Sequence, residues 1–137
     1  MNRRDLRQLA ELRCKEAAAL LRARCYGGAY YLAGYAIECA VKACIARKTR
    51  RYEFPDRKLA ERAWSHKPGE LIRLAGLDKA LATEAENSPR FAANWAVVAT
   101  WSETSRYEFR RSSEARDLLR AIVEPGHGVL QWLRRHW

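Results

Sequence analysis

The chain has 137 residues, 48% of them hydrophobic and 31% charged, with only 7 Gly and 4 Pro, which is enough for one domain with a buried core and unlike a disordered or collagen-like chain. Lys and Arg number 26 against 16 Asp and Glu, and the formal charge of +10 fits either an acidic partner, nucleic acid or protein, or a solvated basic surface. The charged start MNRRDLRQLAEL lacks the apolar run of a signal peptide, and no later stretch reaches membrane-spanning length, so a cytoplasmic protein without leader or membrane span is expected.

From Asn2 to about Arg24, residues Leu6, Leu9, Ala10, Cys14, Ala17, Leu20 and Leu21 fall on one arc at ~100° per residue, the pattern of an amphipathic helix. Arg13 and Arg24 project from within that arc. Gly27 and Gly28 then break the chain, and GGAYYLAGYAIECAVKACIARK, residues 27 to 48, reads as a central helix whose small residues let neighbours approach closely. Its wheel puts Tyr31, Tyr35, Glu38 and Lys42 on one narrow stripe, with apolar residues in every other direction.

Residues 49 to 58 read as a basic loop around Pro55, followed by a short helix to Ser65 and another from Pro68 to a Gly76 cap. A helix start is clear at Ser88 and Pro89, and Phe91, Trp95 and Val98 share the core face of that helix. The last helix is expected to begin after Ser112 and Ser113 and to run toward Trp137, kinked at Pro125 and Gly126, because Ala115, Leu119, Ile122, Val129 and Leu133 keep one stripe across the proline. No alternating strand pattern and no internal repeat occurs. The chain is therefore expected to be a single all-α domain over residues 1–137, a helical bundle with short helices in the middle.

Cys14, Cys25, Cys39 and Cys44 show no CxxC and no companion histidines at metal-ligand spacing, so they read as reduced core residues, with no metal or cofactor implied. Glu38, one acid in an otherwise apolar helix, needs a partner if enclosed, and Arg106 is the expected one; an exposed Glu38–Lys42 pair is the simpler alternative. The clusters RKTRR (47 to 51) and RRSSEAR (110 to 116), with Tyr52, Phe54, Tyr107 and Phe109 nearby, combine cations with aromatic rings as single-strand binding surfaces do, although solvated loops have the same composition. Candidate RNA- or nucleotide-binding residues are therefore Tyr31, Tyr35, Glu38, Lys42, Arg106, Tyr107, Arg50, Arg51, Arg110 and Arg111.

The order AALLRARCYGGAYYLAGYAIECAVKACIA, HKPGELIRLAGL, NWAVVATWSETSRY and a final helix ending VLQWL resembles the HEPN domain over nearly the whole chain. The GYAIE helix and the set Trp101, Ser102, Arg106 and Tyr107 carry most of the likeness. The resemblance implies a bundle of four to five helices, usually a homodimer, found in toxin–antitoxin and defence systems and often beside a small nucleotidyltransferase. Many such proteins are metal-independent ribonucleases with an Arg and His motif, and others bind RNA or nucleotides or act as scaffolds.

In this chain Arg120 and His127, with six residues between them, are the catalytic candidates that the resemblance suggests. Histidine would move the proton and arginine would stabilise phosphate charge. On a continuous helix the two stand ~10 Å apart along the axis, Ala121 rather than a polar residue follows Arg120, and the pair lies in the last helix instead of the one before it. His66 follows Arg62 with only three residues between and reads as a capping or loop hydrogen-bond residue; His136 stands near the C-terminus. A non-catalytic module that uses its apolar helices and Trp132 or Trp137 for a dimer or protein partner is the other reading.

Overall fold

A computed structural model describes residues 1–49 and 57–137. Its elements are α1 (Arg3–Arg22), α2 (Tyr26–Lys48), α3 (Arg57–Arg62), α4 (Pro68–Leu74), α5 (Asp78–Asn87), α6 (Pro89–Ala99), a 3-10 helix (Glu103–Tyr107), α7 (Ser112–Val123) and α8 (Val129–Arg134). The protein is all-helical, with no strand among the described residues. None of these helices is long and apolar enough to cross a membrane.

The N-terminus of α1 is closed by a reciprocal cap, in which the Asn2 side chain accepts from the Asp5 N–H and the Asp5 carboxylate accepts from the Asn2 N–H, both at 3.0 Å. Its apolar arc packs along α2, with Ala10 and Ala17 fully buried. The reversal into α2 falls at residues 23–25 and not at the glycines: Arg24 takes the left-handed conformation at φ 61°, while Gly27 and Gly28 lie inside the first turn of α2. Gly28 faces the Leu20 side chain, and that close packing accounts for a small residue there.

Helix α2 is the centre of the molecule and packs against α1, α4, the 3-10 helix, α7 and α8. Thirteen of its residues are buried, Glu38 among them, as expected of a helix that is apolar nearly all round. Gly34 forms a slot in this helix for the indole of Trp101, which is 2% exposed. Tyr31 stacks on the same indole with ring centroids 6.1 Å apart.

The middle of the chain forms short helices, as its punctuation predicts. Gly76 ends α4 at φ 70°, where Leu77 N–H reaches back to the Ile72 carbonyl at 3.0 Å. Helix α5 was not apparent from its mostly polar sequence, DKALATEAEN. Ser88 caps α6 by accepting from the Phe91 N–H at 3.2 Å, with Pro89 in the first turn. Phe91 and Val98 are buried and Trp95 packs against the core, so the aromatic face of α6 is structural.

The expected kinked C-terminal helix is instead two helices. α7 stops at Val123, Gly126 turns at φ 80°, and α8 starts at Val129. Pro125 cannot donate to the preceding turn, and Gly128 packs so tightly beneath Ile122 that an added Cβ would lie 2.5 Å from its carbonyl oxygen. The apolar stripe survives the break because both helices face the same core. At the start of α7 the cap also differs from expectation: Arg111, not a serine, occupies the N-cap position, and its N–H donates to Glu114 at 2.7 Å.

Trp132 and Trp137 are 3% and 9% exposed, Trp132 lying against Phe91 and Trp137 beneath the Arg7 guanidinium. Both rings pack into this protein's own core. Among the cysteines, Cys39 and Cys44 are buried and Cys14 is half-buried, but Cys25 is exposed in the turn before α2, contrary to its reading as a core residue.

Burial pushes the Cys39 and Cys44 thiols up to about 11. The native state therefore keeps these protons at pH values where the unfolded chain has lost them. Stability is expected to be intact below the ordinary thiol range and to fall as pH rises through it toward 11. Alkylation with iodoacetamide at neutral pH should modify Cys25 first and reach Cys39 and Cys44 only on unfolding, as peptide mass spectrometry would read; equal rates at all sites would contradict this burial.

Candidate functional site

The polar stripe of α2 is covered by two separate segments. At its N-terminal end the 3-10 helix brings Arg106 beside Tyr31 and Tyr107: the guanidinium carbon is 5.0 Å from the Tyr107 ring centroid. The Tyr107 phenol, followed by that of Tyr31, pushes the Arg106 guanidinium above its ordinary value. Tyr31 and Tyr35 stack with centroids 6.0 Å apart. Burial, followed by Cys39 and Glu38, raises the Tyr35 phenol, so this hydroxyl stays un-ionised at neutral pH.

At the C-terminal end of the stripe lies the more demanding arrangement. The Glu38 carboxylate, 3% exposed, accepts from Lys42 Nζ at 2.7 Å and meets His66 Nδ1 at 3.0 Å through both oxygens. The expected partner, Arg106, is engaged with the tyrosines; the acid is satisfied by a histidine 28 residues along the chain. His66 is thus a loop hydrogen-bond residue, as its sequence position suggests, but one that ties the α3–α4 connection to the central helix.

A cleft of about 360 Å3 opens between α4 and the end of α6, lined by Lys67, Glu70, Arg73, Thr100, Trp101 and Ser102. Trp101, held between Tyr31 and Gly34, also lines this cleft. Trp64 is 79% exposed, Tyr107 80% and Phe109 fully.

The remaining candidate residues divide by role. Arg110 lies 4.1 Å over the Tyr30 ring and is ion-paired with Glu108 and Glu114, which makes it a clamp between the 3-10 helix, α7 and α2. Arg111 is exposed at the start of α7. Arg50 and Arg51, with Tyr52 and Phe54, lie outside the described residues.

Arg120 and His127 have different partners. Arg120 is exposed on α7 and pairs with Asp117 at 2.9 Å. His127 sits in the α7–α8 turn, where its Nδ1 meets Ser88 Oγ at 3.0 Å and its carbonyl accepts from Asn94 at 3.0 Å. No hydrogen bond joins the two among the described residues. Within the chain the pair does not form a single polar cluster.

His66, Lys67, Arg73 and Trp64 were absent from the sequence-derived site. The signal that points to His66 is the lone acid of α2, which requires a polar partner from elsewhere in the chain. Among the described residues no group of three or more His, Cys, Asp or Glu side chains could hold a metal ion. No family model, curated protein or solved structure matches this chain.

Proposed function

We propose that this is a HEPN-like protein that binds single-stranded RNA or a nucleotide along the track from Tyr107 and Arg106 past Tyr31 and Trp101 to the cleft at Lys67 and Arg73. One observation carries the reading: the Arg106 guanidinium lies against Tyr107 and Tyr31, with Tyr107 and Phe109 turned to solvent. Bases stack on exposed rings in a sequence-tolerant way, at about 1–3 kcal/mol each, while guanidinium and ammonium groups track phosphates. The formal charge of +10 adds long-range attraction for a polyanion.

The resemblance in the GYAIE helix and the WSETSRY segment extends this proposal to a homodimer acting in a toxin–antitoxin or defence module, with a nucleotidyltransferase as protein partner. The scaffold alternative is less well supported, because Trp132 and Trp137, its anchors, are buried. Light scattering on the purified protein reads the dimer, and co-purification with the product of a neighbouring nucleotidyltransferase gene reads the partner.

The binding test is a fluorescence-anisotropy titration with a labelled single-stranded RNA at several salt concentrations. Binding should weaken linearly in log salt, with slope of about −0.7 for each phosphate neutralised. Arg106→Ala should weaken binding and flatten that slope, whereas Arg120→Ala, at an exposed intrahelical pair, should leave both within about twofold. Absence of salt-sensitive binding would remove the proposal.

A further inference from the structure

We propose that the hollow between α1, α2 and α3 is a binding site for a small neutral apolar molecule, a substituted ring or a short chain. The argument starts from α3. A helix of six residues is not stable in water by itself, and α3 buries none of its residues. Its apolar residues Leu59 and Ala60, with Ala63 just beyond it, line a hollow of about 230 Å3 whose other walls are Leu6 of α1 and Ile45 and Ala46 of α2. Leu6 and Leu59 pack against the core without being buried in it. The three helices thus leave apolar side chains around a space that their own atoms do not fill, unlike the close-packed interior beneath.

Lining and charge together set the class of ligand. The charged side chain on the wall is Lys42, and its ammonium is already engaged by the Glu38 carboxylate at 2.7 Å. A carboxylate or phosphate entering here would find no free counter-charge among the described lining residues and would lose hydration to apolar walls. A neutral apolar molecule exchanges water for those walls at a gain.

Size narrows the class further. A cavity of about 150 Å3 lined by apolar side chains holds benzene, so this hollow takes a substituted ring or a chain of similar bulk. It is smaller than the roughly 300 Å3 at which pockets for drug-sized ligands begin. A nucleotide is disfavoured by both size and charge, and the inference is independent of the RNA reading. A protein segment fits less well: the walls are single faces of three helices, one of them six residues long, whereas a stable protein interface takes roughly 20–30 residues from each partner. A bound molecule would touch all three helices at once and tie α3 to the central helix.

The experiment titrates the isotopically labelled full chain with toluene and, separately, with benzoate, following backbone amide shifts by NMR and Tm by circular dichroism. Toluene should move the Ile45, Ala46 and Ala63 amides saturably and raise Tm by about 5 °C at ten times its Kd. Benzoate should do neither. Ala63→Leu fills the hollow and should abolish both responses to toluene; Ala60→Leu takes its place if circular dichroism shows that variant unfolded.

Absence of a saturable shift, an undiminished response in the filled variant, or benzoate binding as tightly as toluene overturns the proposal. So does light scattering in which the wild type self-associates and the filled variant does not, because the occupant is then a second copy of the chain.

Discussion

Gly34→Ala is expected to destabilise the protein by at least about 2 kcal/mol in urea unfolding. An added Cβ would lie 2.2 Å from Trp101 Cε2 and Nε1 and 2.3 Å from Cδ1, far inside van der Waals contact. The indole cannot swing away cheaply, because it is 2% exposed and stacked on Tyr31. Alanine in a helix interior normally gains roughly 0.5–1 kcal/mol over glycine, so the steric cost must exceed that gain before any loss is seen. Gly69→Ala in α4 is the matched control, since its Cβ would meet nothing within 4 Å and should leave stability equal or slightly raised. Equal behaviour of the two variants would mean that the slot does not hold Trp101.

The second large effect concerns the acid in the core. Lys42→Met with His66→Phe removes both partners of a Glu38 carboxylate that is 3% exposed. Breaking a buried charge pair in this way costs on the order of 3–5 kcal/mol, whereas replacing all members with apolar groups is often neutral or stabilising. The doubly substituted protein should therefore be much less stable than the triple variant that adds Glu38→Leu. Such an ordering, in which a third substitution restores stability, is the signature of an uncompensated buried charge. If the triple variant were the least stable, Glu38 would be held by packing and not by these two partners.

These two positions also show where the sequence was legible. The helices α1, α2, α6 and α7 follow from apolar spacing, and the Ser88 and Gly76 caps from local chemistry, because each depends on residues a few places apart. The reversal at residues 23–25 was not legible: glycines are the usual mark of a break, but Gly28 serves packing against Leu20 and an arginine takes the left-handed turn. Likewise the stripe across Pro125 was read as one helix, since two helices facing one core leave the same periodicity as a kinked one.

For the candidate site, the stripe Tyr31, Tyr35, Glu38 and Lys42 was visible on a helical wheel, and so was the need for a partner to Glu38. Which residue supplies that partner depends on how the α3–α4 connection folds back on α2, a non-local fact. Spacing singles out Arg120 and His127, seven places apart, whereas the histidine that meets the buried acid is His66, 28 places from Glu38. Pair spacing within one helix is a poor guide when the polar groups that must be satisfied lie in the core of another.

The central proposal is that RNA binds along the track from Tyr107 and Arg106 to the cleft at Lys67 and Arg73. Its most direct test is ultraviolet cross-linking of the protein to a single-stranded RNA carrying 4-thiouridine, with the attached peptides identified by mass spectrometry. The account predicts adducts on peptides containing Tyr107 or Phe109 and on those containing Trp64, lost in high salt. Adducts confined to α5 and the outer face of α6, or none at any salt concentration, would contradict it.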